Sequence, residues 1–247
     1  MFGLNGRSFW ANLAGHWAVH YQADPEKVWK RSDLRETIKT VKKVNADILG
    51  VIEILEGQEK KIVKELKKIG YKYFYFGRGH KMKYSGLHVI ELLASKIKGR
   101  QLHYKEWPVE NHLGGGGGMV VCRFPKLKLN VVHVHLGLPT KNFFFQQIKH
   151  TQNVLKELDG KIILMGDFNE SYDKIKHHFP KLKLITGKVK TCSFTPVLKW
   201  FFCKDRDHIL VKGLGKKDAG TLMGRSDHKL IYADLKQQEQ SFLYNYL

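Results

Sequence analysis

The segment KIILMGDFNE, residues 161–170, sets the tightest limit on how this chain folds. Four apolar residues, Ile162 to Met165, run into Gly-Asp-Phe-Asn, which fits a short strand buried on both faces; periodicity alone leaves a buried helix open. On a strand, Asp167 and Asn169 sit two residues apart at its end and face one direction. That placement suits holding a metal, a water or a phosphate. Similar runs recur as ADILGVIEIL (46–55) and LNVVHVHL (129–136). Amphipathic helical patterns separate several of them, at 25–44, 59–69 and 141–158, with strand-like segments at 7–13, 71–76, 85–95, 117–124, 206–212 and 229–235. Helices alternating with strands, plus a central succession of strands, imply mixed sheets covered by helices rather than a parallel barrel.

At 247 residues the chain can form one large α/β domain or two small ones. A hydrophobic fraction of 43% and a mean hydropathy of -0.36 describe an ordinary globular protein, with no apolar run long enough to span a bilayer. The first residues show no charged segment followed by an apolar one, so no secretory signal is expected. Cys122, Cys192 and Cys203 are odd in number and widely spaced, matching neither a disulfide framework nor a zinc pattern, and a cytoplasmic setting follows. The formal charge of +20 favours polyanionic partners. Yet the excess is 35 Lys against 8 Arg, spread along the chain, and arginine is the residue that grips phosphate bidentately. The charge supports an anionic substrate without naming it.

Other segments also place polar residues in or beside apolar runs. Glu53 lies inside ADILGVIEIL, where an unpaired carboxylate is costly. In VVHVHLGLP, alternation puts His133 and His135 on one face and the valines on the other. Asp207 lies in DRDHILVK, and Asp227 and His228 lie in GRSDHKLIYADL. Singly each has a structural explanation, since a strand Glu or His is usually satisfied by packing and GDxN is often a turn. Their order along one chain is specific.

In that order the segments resemble the endonuclease/exonuclease/phosphatase superfamily, over about residues 6–236. SFWANLAGH resembles the first strand of that family, ADILGVIEI its PDILALQEV strand, VVHVHLGL its THL segment, LMGDFNE its GDFN motif, and RDHILV and SDHKLIYADL its IDYIFV and SDHxPL endings. The resemblance implies a deoxyribonuclease I-like α/β (α+β) fold, a four-layer sandwich of two packed mixed sheets flanked by helices. It implies a catalytic domain over 1–236 followed by a tail at 237–247. It also implies a metal site of Asn12, Glu53 and Asp227, a phosphate-facing His135, water activation by Asp167, a phosphate hydrogen bond from Asn169, and His228 oriented by Asp207 as base or cationic clamp.

Oxygen donors without a Cys/His cluster suit Mg²⁺, with Mn²⁺ as an alternative, rather than zinc. Ile52 stands where the family usually has glutamine, which removes a hydrogen bond but no ligand; VHVHLGLP in place of a Tyr-x-Pro-Asn stretch, and Ile54 after Glu53, argue against an abasic-site endonuclease. The expected activity is a metal-dependent phosphodiesterase acting on nucleic acid. A phospholipid or small phosphoester hydrolase is the alternative, and a catalytically inactive binding protein a third reading.

Weaker features remain. Glycines 114–118 lack the Gly-Lys-Ser/Thr of a phosphate loop and read as a flexible hairpin entering a strand. Trp200 and its two phenylalanine neighbours could stack on bases or meet lipid. The segment GLGKKDAGTLMGRSDH reads as a loop whose Lys216, Lys217 and Arg225 could contact substrate phosphates. No protein partner is evident.

Overall fold

The computed structural model describes residues 31–81, 86–104, 107–108, 116–139, 142–191, 204–223 and 228–237. The strand expected at 7–13, the start of the first helix, the tail beyond 237, and Asn12, Trp200, Arg225 and Asp227 lie outside the described residues.

Four helices, α1 (Arg31–Val44), α2 (Glu59–Lys68), α3 (Asn142–Glu157) and α4 (Tyr172–His178), accompany eleven strands among these residues. The strands are β1 (Ile48–Leu55), β2 (Tyr73–Lys81), β3 (His88–Ser95), β4 (Arg100–Leu102), β5 (Met119–Phe124), β6 (Leu129–His135), β7 (Lys161–Asp167), β8 (Lys183–Leu184), β9 (Asp207–Lys212), β10 (Leu214–Leu222) and β11 (Leu230–Gln237). They form a six-stranded sheet ordered β4-β5-β6-β7-β9-β8, a three-stranded sheet β1-β3-β2 and a β10-β11 pair. The β6–β7 pairing is parallel and its neighbours are antiparallel, so the large sheet is mixed.

Three apolar cores show why these elements stack as four layers. One packs Leu34 and Val41 of α1 and Ile62 and Leu66 of α2 against Leu49, Ile54, Leu92 and Leu230. A second lies between the sheets, where Leu93 meets Val120, Cys122, Val131, Ile209, Val211 and Ile231. The third joins Val132, Val134, Ile162, Leu164 and Leu210 of the large sheet to Phe144, Ile148 and Ile175 of α3 and α4. The order is therefore helix, sheet, sheet, helix, as a deoxyribonuclease I-like fold requires. Strand β6 is buried at all seven positions, and each valine sealed there contributes about 1.5–3 kcal/mol. Its odd-numbered residues, Val131, His133 and His135, face the opposite sheet, while Val132 and Val134 face the helices.

Helix α2 buries Ile62 and Leu66, four residues apart, and leaves Lys60, Lys61, Lys64, Lys67 and Lys68 exposed. Part of the lysine excess is thus the solvated face of a covering helix. No described helix is long and apolar enough to cross a membrane.

Two expectations need correction. The segment starting at Leu214 is a strand for nine residues, paired antiparallel with β11, rather than a loop. Its glycines and charged side chains hide the alternation that would announce a strand. Glycines 116–118 are buried rather than flexible. Gly117 N–H donates to the His135 carbonyl at 3.0 Å and His135 N–H to the Gly118 carbonyl at 2.9 Å, so the run continues β5 alongside the end of β6.

Another glycine shows how tightly the sheets meet. His133 is fully buried and its Nε2 donates to the Val51 carbonyl at 3.3 Å, which lays the ring over Gly50 of β1. A Cβ on Gly50 would lie 2.6 Å from His133 Cε1. Gly50→Ala is expected to lower stability by about 1–3 kcal/mol, as overpacking a fixed core does, read from the urea midpoint. An unchanged midpoint would contradict this packing.

Candidate active site

Strand register alone assembles the centre of the site. His135 ends β6, Asp167 ends β7 and Asp207 begins β9, and the ladder pairs His135 with Asp167 and Asp167 with Asp207. Their parity matches Ile163, Met165, Ile209 and Val211, so all three side chains face the space between the sheets. Neighbouring strands are about 4.8 Å apart, so an imidazole and two carboxylates stand side by side in one row. The buried apolar residues of the three strands anchor the row.

The imidazole of the row and a second one, His228, each belong to a carboxylate pair. His135 Nδ1 donates to Glu91 Oε1 at 3.2 Å, and His228, arriving just before β11, donates from Nδ1 to Asp207 Oδ2 at 2.8 Å. Their Nε2 atoms lie 3.8 Å and 3.9 Å from the same atom, Asp167 Oδ2. Two carboxylate–imidazole pairs therefore converge on one carboxylate. Glu91, His135, Asp167, Asp207 and His228 are all buried.

Burial sets the electrostatics. It pushes His135 down, but the hydrogen bond and charge of Glu91, helped by Asp167 and Glu53, outweigh it and lift His135 to about 9. Glu91 is itself pushed up by burial, against the pull of His135. Asp167 is raised to about 6 by burial and by the charge of Asp207, opposed by His228 and His135. Burial also pushes Asp207 up, yet the charge and hydrogen bond of His228 leave it below the usual carboxylate range. His133 lies on the same face as His135 but is lowered by burial to about 4, so it is a neutral core residue.

Glu91 is the functional candidate that sequence reasoning missed. The signal was present, because Glu91 interrupts the apolar run HVIELLAS as Glu53 interrupts ADILGVIEIL. The glycine run is the other omission. A Cβ on Gly117 would strike Glu91 Oε1 and lie 2.5 Å from His135 Nδ1, and Gly116 has φ +76 and would clash with Gly137 N. Gly117 leaves the space that the Glu91–His135 pair occupies, and Gly116 lets the backbone pass close to Gly137. Thr191 also matters: its Oγ1 accepts from the N–H groups of Arg206 and Asp207 at 3.1 Å and 3.0 Å, and its carbonyl accepts from Lys229 N–H at 2.7 Å. It thereby ties the start of β9 to the chain around His228.

Asn169 adopts φ 51, and its backbone N–H donates to Asp167 Oδ1 at 2.7 Å. Its Nδ2 donates to the Leu136 carbonyl at 2.8 Å, and its Oδ1 accepts from the Arg206 guanidinium. Glu53 is half-buried at φ 59, where the β1–β3 register slips between Val51 and Ile54. A non-glycine residue at such a bulge stores strain and is re-aimed by it.

A sequence profile of the Endonuclease/Exonuclease/phosphatase family matches residues 10–228. The chain belongs to this family. Similar solved structures include a family protein from Leptotrichia buccalis (TM-score 0.66, 16% identity, covering 88% of this chain and 96% of that one). Another is ANGEL2, a 2′,3′-cyclic phosphatase solved with adenosine-2′,3′-vanadate (TM-score 0.65, 13% identity, 94% and 93%). A third is the human Nocturnin catalytic domain with bound sulfate (TM-score 0.62, 14% identity, 89% and 91%). At these identities the likeness establishes the deoxyribonuclease I-like fold. No curated protein matches the sequence.

Family membership makes the placement of the remaining candidates informative. Lys216 and Lys217 do not join the site. They pair with the far end of β11, five to six residues from Leu222, or roughly 17–20 Å along the strand, and Lys217 Nζ sits 3.1 Å from Asp234 Oδ2. Asn12, Asp227, Arg225 and Trp200 lie outside the described residues.

The donor chemistry fits a hard divalent cation. Asp167, Asp207 and His228 each offer a ligand atom within 4.8 Å of the others, and Asp207 Oδ1 is buried without a hydrogen-bond partner; Glu53 places a further carboxylate where its charge acts on Glu91 and His135.

The Glu91–His135 pair can be tested without any substrate. Because the His135 value of about 9 lies above the ordinary 6.5, its contribution to stability is fully present below about pH 6.5 and is lost as pH rises through about 9. In Glu91→Gln the His135 ring resonance should titrate well below 9, and destabilisation between pH 7 and 9 should shrink. An unchanged His135 titration by NMR would contradict the pairing.

Proposed function

We propose that this protein is a divalent-metal-dependent phosphodiesterase that hydrolyses nucleic acid by attack of water on phosphorus. One observation carries the reading: two carboxylate–imidazole pairs present Nε2 to a single carboxylate oxygen of Asp167. That arrangement matches a reaction needing a base for water and cationic donors for the phosphoryl oxygens.

Asp167 takes the proton of the attacking water, and its elevated pKa makes it a stronger base than an ordinary aspartate. His135, held protonated by Glu91, donates from Nε2 to a non-bridging oxygen. His228, fixed through Nδ1 by Asp207, presents Nε2 on the other side of Asp167, and Asn169 donates from Nδ2. Glu53, with Asn12 and Asp227, would hold Mg²⁺ or Mn²⁺. When bound, the ion would polarise the phosphate and offset charge on the leaving oxygen.

Two further facts support nucleic acid as the substrate class. The formal charge is +20, and ANGEL2, which shares the fold, acts on a 2′,3′-cyclic phosphate and was captured with an adenosine derivative.

The test is hydrolysis of plasmid, single-stranded DNA and RNA, cyclic nucleotide, sphingomyelin and inositol phosphate by the purified protein. Turnover of nucleic acid should vanish in EDTA, return with Mg²⁺ or Mn²⁺, and fall by about a hundredfold or more in Asp167→Asn and His228→Ala with folding retained. Since deprotonated Asp167 is the active form, kcat should rise with pH along an acid limb at or below about pH 6, a bound cation moving it lower. Chelator-resistant turnover or near-wild-type variants would overturn the assignment. Turnover of lipid alone would overturn the substrate class.

A further inference from the structure

We propose that Arg206 is a positioning residue of this site, which orients the Asn169 side-chain amide so that an Nδ2–H, and not Oδ1, meets the substrate phosphate. The inference rests on the phosphodiesterase reading above for the identity of the ligand, but its structural half stands alone.

A side-chain amide presents nearly the same shape after a half-turn, so the neighbours must decide which end carries oxygen. Here the two neighbours have opposite and unambiguous chemistry. A guanidinium can only donate and a carbonyl can only accept. Arg206 therefore fixes Oδ1, and the Leu136 carbonyl, 2.8 Å from Nδ2, fixes the nitrogen. With one Nδ2–H given to Leu136, the amide keeps a second for a ligand. The reversed amide would point two N–H groups at a cation and an oxygen at a carbonyl. It would also set an oxygen toward any bound phosphate, opposing the charge that develops in the reaction.

Arg206 is well placed to hold this orientation. Its backbone carbonyl accepts from Phe168 N–H at 2.9 Å and its own N–H donates to Thr191 Oγ1 at 3.1 Å, so the residue is pinned on both sides. The turn it supports is the one in which Asn169 takes φ 51 and donates to Asp167 Oδ1. The next residue, Asp207, holds His228. Arg206 thus joins the two halves of the row at their shared edge, and its charge persists at every working pH.

The test compares wild type, Arg206→Gln, Arg206→Lys, Asn169→Ala and the double variant Arg206→Gln/Asn169→Ala. In the full-length metal-free protein, the Asn169 side-chain NH₂ resonances, assigned by their absence from Asn169→Asp, should be protected from solvent exchange in wild type. In Arg206→Gln they should lose that protection, and in Arg206→Lys, which keeps one donor without the planar fork, keep part of it. In turnover, Arg206→Gln should lower kcat by about tenfold to a hundredfold with KM changed much less. The double variant should be no slower than Asn169→Ala, and Arg206→Lys should recover part of the loss.

Unchanged amide resonances in a folded Arg206→Gln would overturn the proposal, as would losses that simply add in the double variant. An absence of phosphoester turnover in wild type would overturn the functional reading instead, leaving the amide protection to decide the role of Arg206.

Discussion

Three carboxylates, Glu91, Asp167 and Asp207, are buried between two sheets and linked through the rings of His135 and His228, and the rest of the site follows from compensating their charge. An isolated buried carboxylate would protonate, because the cost of removing its charge from water exceeds what packing returns. Two imidazoles solve the problem by donating a hydrogen bond to one carboxylate each and turning the opposite ring nitrogen toward the third. Asp167 is left with partial compensation, which explains why its pKa is raised while that of Asp207 falls.

Glycine supplies the room for it. The Glu91–His135 pair bridges the two sheets, and the space it fills exists because residue 117 carries no side chain. Gly50 makes the corresponding allowance for the His133 ring one step deeper. Side chains that would ordinarily pack a sheet-to-sheet interface are exchanged for backbone at the two places where polar rings must enter. Strand ladders on either side, with Val131 beside His133 and Met165 two residues before Asp167, keep that polar column enclosed in apolar surroundings.

Much of this was legible in the sequence because strand parity carries through to chemistry. Asp167, His135 and Asp207 each end or begin an apolar run, and the register brings them together. Glu91 carried the same signal and was passed over, since a carboxylate in the middle of its run has no recognisable motif around it. The glycine run was misread because glycine looks alike in a mobile turn and in a tight approach, and only the neighbours differ. Lys216 and Lys217 were misplaced for a related reason: Gly215 and Gly220 break the alternation of β10, so a regular strand looked like a loop leading to the site. Arg206 left no trace in the sequence, because a single arginine beside an aspartate says nothing about which amide it will meet. Helix α4, which buries only Ile175, was likewise silent.

The central claim is that Asp167, set between the two pairs, directs a water onto phosphorus, with neither histidine attacking it. The stereochemical course at phosphorus tests this most directly, using a phosphorothioate diester of single configuration hydrolysed in ¹⁸O-water. Inversion is the predicted result, as one in-line displacement by water requires. Retention would mean two displacements through a covalent enzyme intermediate and would contradict the account.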